Sequence, residues 1–77
     1  MNPQQILDRA NRAKELLEHP AFRECLAEIE ANLVSQWLVS GPDDYDVRER
    51  AYQRLQAIRD IQAQVKLFMD EAKLAKR

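Results

Sequence analysis

The sequence predicts an all-α fold of three helices, laid out as a long antiparallel helical hairpin with a kink at Pro20. Three observations lead there. Strong helix formers (Ala, Leu, Glu, Gln, Arg, Lys) dominate the 77 residues, and β-branched residues are too scattered to form a strand. Gly41 is the single glycine and Pro3, Pro20 and Pro42 are the only prolines, which confines the breaks to three places. Between those breaks, apolar residues recur at three- and four-residue steps.

The first helix is expected over about residues 3–18. Asn2 is its cap and Pro3 its first residue, where a missing N–H costs nothing. Ile6, Leu7, Ala10, Ala13, Leu16 and Leu17 form its apolar stripe. Pro20 disfavours helix at His19 yet suits the first turn of a new helix, so a second helix is expected over about 20–40. Residues 41–44, Gly-Pro-Asp-Asp, form the turn, with Gly41 as terminator and Pro42 blocking continuation. The third helix is expected over about 45–76. Asp46 with Glu49 fits a capping box, and Asp44 is an equally good cap. Lys73, Lys76 and Arg77 suit the negative end of its dipole. At ~1.5 Å per residue the second helix is about 30 Å long and the third nearly 50 Å. Pairing them antiparallel sets Leu33 beside Leu55, Ile29 beside Ile58 and Phe22 beside Val65, and leaves Phe68, Met69, Ala72 and Ala75 for the first helix to cover. A first helix folded back into a compact three-helix bundle is the alternative.

A chain of 77 residues is read as a single domain, 1–77, and a small one buries only about 60% of its unfolded surface. Such scaffolds usually need a disulfide, a metal or a second chain. Cys25 is the only cysteine and His19 the only histidine, so neither an internal disulfide nor a tetrahedral metal site is available, and no cofactor is expected. Association with other helices remains.

The helices carry a pattern that fits this. On the third, Ala51, Ile58, Val65 and Ala72 occupy a positions and Val47, Ile61, Phe68 and Ala75 occupy d positions, with Leu55 offsetting the break at Arg54. Tyr52, Ala63, Leu67 and Leu74 fall on the opposite side. On the second helix, Phe22, Cys25, Leu26, Ile29, Leu33 and Trp37 form the main stripe, and Ala27, Ala31, Val34 and Leu38 form another well away from it. A helix with one buried face is normally polar on the other. The second stripes are therefore the candidate interface, and a dimer of hairpins closing a four-helix bundle is the simplest way to cover them. Trp37 is a candidate anchor near Tyr52 at the turn, either for a partner or as a plug for the end of the core.

Other residues invite sharper readings. His19 as a catalytic base has no nucleophile near it in sequence and reads as a cap. Cys25 as a reactive thiol is set against its place on the apolar stripe, where burial is expected. Asp43, Asp44 and Asp46 lack the spacing of a calcium loop and read as caps. The net charge is −1, from 12 basic and 13 acidic residues, and residues 1–42 and 43–77 carry −2 and +1. Neither half has the one-sign field of a nucleic-acid or membrane-surface binder. Arg48, Arg50, Arg54, Arg59, Lys66, Lys73, Lys76 and Arg77 could form a basic strip for nucleic acid, but they are interleaved with Glu49, Asp60, Asp70 and Glu71, do not gather on one face, and read as a solvated surface with i,i+4 pairs. No stretch approaches a membrane span, and the N-terminus lacks the order of a signal peptide, so a soluble protein of a reducing compartment is expected. No phosphate loop, dinucleotide motif or catalytic triad is present, and no enzyme is expected.

The run LLEHPAFRECLAEIEANLVSQW, then a short acidic loop, then DVRERAYQRLQAIRDIQAQVKLFMDEAKLA, resembles small helical proteins encoded among the head and packaging genes of tailed bacteriophages and prophages. The likeness covers residues 16–75. It rests on the Leu16-Leu17-Glu18-x-Pro20 junction, Trp37 near the end of the second helix, and Arg48-Glu49-Arg50 opening the third. His19 stands where the pattern would carry a capping Asn. The resemblance implies no catalytic residue. It implies a virion-associated or assembly-accessory protein, located in the host bacterial cytoplasm or the virion, with a larger phage structural protein as a further partner. A nucleic-acid-binding regulator or packaging accessory, and an inhibitor of a host protein, are the alternative functions.

Overall fold

The computed structural model describes residues 1–75, which form α1 (Pro3–Glu18), α2 (Pro20–Val39) and α3 (Tyr45–Ala75), with no strand among them. The all-α three-helix expectation holds; among the described residues α1 spans Pro3–Glu18, α2 ends at Val39 and α3 begins at Tyr45. Lys76 and Arg77, expected at the end of α3, lie outside the described residues.

Local chemistry explains each boundary. Asn2 and Gln5 close a reciprocal capping box: the Gln5 N–H donates to Asn2 Oδ1 at 2.8 Å, and the Asn2 N–H donates to Gln5 Oε1 at 3.1 Å. His19 ends one helix and starts the next. Its backbone is extended (φ −69°, ψ 122°), its N–H reaches the Leu16 carbonyl, and its Nδ1 accepts from the Ala21 N–H at 3.2 Å. The break is a single residue long because Pro20 needs no N–H partner and sits at the first position of α2.

Two expectations at the turn need correction. Gly41 does not adopt a positive φ, so α2 is not ended by a left-handed glycine. Ser40 ends it instead, in an extended conformation, with its hydroxyl donating to the Trp37 carbonyl at 2.6 Å. Asp46 is not a cap: it lies inside the first turn of α3, where it still favours the dipole. Asp44 immediately precedes the helix, and its carbonyl accepts from the Arg48 N–H. The Asp44 side chain turns back to take the Gly41 N–H at 2.8 Å while its own N–H donates to the Gly41 carbonyl, which locks the turn on itself.

The topology is the kinked hairpin, not the closed bundle. Arg9 of α1 reaches Phe68 and Glu71 of α3, whereas Leu17, two turns later, shares a hollow with Gln62. Partner numbers on α3 fall as numbers on α1 rise, so α1 runs antiparallel to α3. Leu33 and Leu55 line one cleft, which puts α2 antiparallel as well and in the expected register. End to end, α1 and α2 therefore follow α3, and they meet each other mainly at the junction. The result is 51 × 23 × 15 Å, with a radius of gyration of 16.6 Å. A compact chain of this length has about 11.5 Å.

The core is thin. Ala10 and Ala13 of α1, Leu33 of α2, and Ala51, Ile58, Val65 and Ala72 of α3 are its buried members, and no described side chain is completely covered. All four a positions of α3 are buried as expected. Of its d positions, Val47, Ile61 and Ala75 are exposed and Phe68 is half-buried. A two-helix layer has one seam, wide enough to close over a single row of side chains. The same limit corrects the main stripe of α2: Cys25, expected to be buried, is exposed, as are Ile29 and Trp37, while Phe22 and Leu26 are half-buried. On α1, small alanines let the backbone approach α3 closely, making α1–α3 the tighter contact.

Candidate interaction surface

Two arginines pin the ends of the layer. At the α1 end, the Arg9 guanidinium lies 4.1 Å from the Phe68 ring centre and pairs with the Glu71 carboxylate, which fixes the register of α1. Arg9 Nε is buried against the ring and has no hydrogen-bond partner. At the turn end, Arg48 stacks 4.5 Å above the Trp37 ring, and its Nε donates to Ser40 Oγ at 2.9 Å. Sequence reading missed both. The available signal was an arginine flanking an apolar stripe, Arg9 before Ala10 and Arg48 three residues before Ala51. The expected i,i+4 ion pairs of α3 are not formed among the described residues: the one pair within it is Lys73–Asp70, three apart, and Gln53–Glu49 and Gln56–Tyr52 are neutral-donor hydrogen bonds.

All eight candidate interface residues are exposed, including Val34 (44%), Leu38 (74%), Tyr52 (52%), Leu67 (47%) and Leu74 (66%). Near the turn, Leu33, Val34, Trp37, Ala51, Tyr52 and Leu55 enclose an open cleft of about 230 Å³ with almost entirely apolar walls. Val34 is also part of a shallow groove with Ala27, Ala31 and Leu38. Trp37 and Tyr52 continue the cleft toward Tyr45. The second stripe of α2 and Tyr52 therefore merge into one apolar face at the turn end of the hairpin. Ala63, three helical turns after Tyr52, extends that face along α3. Leu67, one turn beyond Ala63, and Leu74 continue along the same side of α3 towards its C-terminal end. Trp37 is neither a plug nor wholly free: Arg48 covers one side, and its remaining surface (42% exposed) opens into the cleft.

The exposed area can be weighed against a folded monomer. A protein of 9.0 kDa is expected to expose about 4,850 Å² by the usual mass scaling. This chain exposes 6075 Å², an excess of about 1,200 Å² over that scaling.

Among the described residues, no three His, Cys, Asp or Glu side chains gather where they could hold a metal ion, and no helix is long and apolar enough to cross a membrane. Comparison with protein families, with curated proteins and with solved structures finds no match for this chain.

Proposed function

We propose that this chain is a non-enzymatic helical interaction module that associates with further copies of itself and serves the structure or assembly of a phage particle. The uncovered apolar face at the turn end carries the self-association half of that reading: Val34, Trp37, Leu38 and Tyr52 stay exposed along an adjoining cleft and groove. The total exposure exceeds the compact-monomer scaling by about 1,200 Å² because the hairpin is long and thin. The kinked layer is half of a bundle: one row of side chains is buried between its helices, and a second row waits on its face.

The phage setting is supported by the resemblance of residues 16–75 to small head- and packaging-region proteins. A larger virion protein is the other occupant such a face would accept. Light scattering over a hundredfold dilution tests the first half: a stable multiple of the 9.0 kDa chain is expected, and a monomer at every concentration would refute self-association. Mass spectrometry of purified particles from a lysogen encoding the chain tests the second half. The protein is expected in particles or in assembly intermediates, and its absence from both would refute an assembly role.

A further inference from the structure

The turn-end face also carries information about how two copies meet. Resting on the self-association reading, we infer that the chain forms a two-fold dimer whose axis runs along the length of the hairpin. The two turns then lie at the same end, and α2 of each copy packs antiparallel on α3 of the other.

Two flat layers stacked face to face can be related by a two-fold axis along the helices or by one across them. An axis across them lays α2 on α2, in the opposite direction. An axis along them lays α2 on the partner's α3. Charge separates these choices. Helix α2 carries Glu24, Glu28 and Glu30 against Arg23 alone. On the side of α3 that carries Tyr52 and Ala63, residues 48–66 present Arg48, Arg59 and Lys66 against Glu49 and Asp60, while Arg50 and Arg54 lie on the other side. No ion pair among the described residues joins these two helices within the chain. Stacking α2 on α2 would bring acids together. Stacking it on α3 gives each helix a partner of opposite charge; neighbouring helices are antiparallel with either axis, so charge and not the helix dipole makes the choice.

The apolar face occupies the turn end of the hairpin. An axis along the hairpin superposes the two faces with the α1 ends side by side; an axis across it superposes them with the α1 ends projecting in opposite directions. The register follows from symmetry: α2 meets the partner's α3 at the height at which it meets its own, where Leu33 is level with Leu55. Ala27 then faces the partner copy's α3 at the level of its small residue 63, Val34 and Leu38 lie over the aromatic at 52, and Glu30 comes level with the basic side chain at 59.

The test uses cysteine crosslinking in a Cys25→Ser background, with light scattering and circular dichroism on each variant. The pair Ala27→Cys with Ala63→Cys is expected to oxidise to a covalent dimer. In one chain these positions sit on neighbouring helices about 8–10 Å apart and point away from their shared seam, beyond disulfide reach. Neither single variant should crosslink, because the arrangement holds each position away from its own symmetry mate. Ala31→Glu, on the same face, should return the mass to that of the single chain with helicity retained. A wild-type dimer that crosslinks through Ala31→Cys alone, and not through the pair, would overturn the parallel axis while self-association stood. A dimer that survives Ala31→Glu and is broken by Leu67→Asp with Leu74→Asp would overturn the face. A wild-type monomer would remove the self-association reading itself, and this inference with it.

Discussion

Replacing Arg9 should loosen α1 from the rest of the hairpin. The Arg9 side chain is 29% exposed and its partner Glu71 38%, so solvent screens the pair and it contributes about 0.5–1 kcal/mol. The stack on Phe68, at 4.1 Å, adds about 0.5–1 kcal/mol. Arg9→Met keeps most of the apolar stem and should cost about 1–2 kcal/mol. Arg9→Ala also loses the stem's packing and should cost somewhat more. For a chain of this size, total stability is on the order of 4–11 kcal/mol, so the loss is measurable by urea denaturation. Glu71→Gln, and the double variant with Arg9→Met, complete a cycle whose coupling energy should be about 0.5–1 kcal/mol. Hydrogen exchange should place the added opening in α1 and leave the amides around Ile58 protected. A coupling near zero, with both single variants inside about 0.3 kcal/mol of wild type, would refute the reasoning and leave Ala10 and Ala13 as the sole determinants of where α1 sits.

Ile58 is the largest wholly apolar side chain buried in the a row of α3 beside Val65, and Ile58→Ala should cost about 2–4 kcal/mol by chemical denaturation. His19 caps α2 through a 3.2 Å bond to one N–H, and Asn is a better cap, so His19→Asn should leave the fold intact and raise stability by up to about 1 kcal/mol in a thermal melt. A Cβ at Gly41 would meet nothing nearer than Asp44 Oδ2 at 3.4 Å, and no positive φ is needed there. Gly41→Ala should therefore be neutral or stabilising by up to about 1 kcal/mol, and a loss of stability would show that the turn depends on glycine. Cys25 is exposed, so a chromogenic disulfide reagent should label it in the folded protein at a rate within about tenfold of the unfolded chain.

The predictions at the boundaries and those in the core rest on different kinds of information, and the sequence served them unequally. The limits of α1 and α2 and the start of α3 were legible because they are set within a few residues of the chain. Asn2 and Gln5 cap each other, Pro20 cannot follow a helical His19, and Pro42 cannot continue α2. The a row of α3 was legible for the same reason, since its seven-residue period puts Ala51, Ile58, Val65 and Ala72 in line whatever they meet. The second stripes were legible as stripes too.

Only tertiary structure decided how much of each stripe the chain itself can cover. Periodicity gives the direction of a side chain and says nothing of how far the neighbouring helix extends over it. With α1 and α2 laid in line on one side of α3, a single seam exists, and Cys25, Ile29 and Ile61 fall outside it although their spacing matches that of Leu33 and Ile58. The pinning of Arg9 to Phe68 and Glu71, sixty residues away, depended on that same register. So did the joining of Val34, Trp37 and Tyr52 into one face. Local sequence determines where a helix starts, stops and turns its apolar side. The distance between helices, and so what stays uncovered, is set by which small residues allow close approach, and that is a property of the pair.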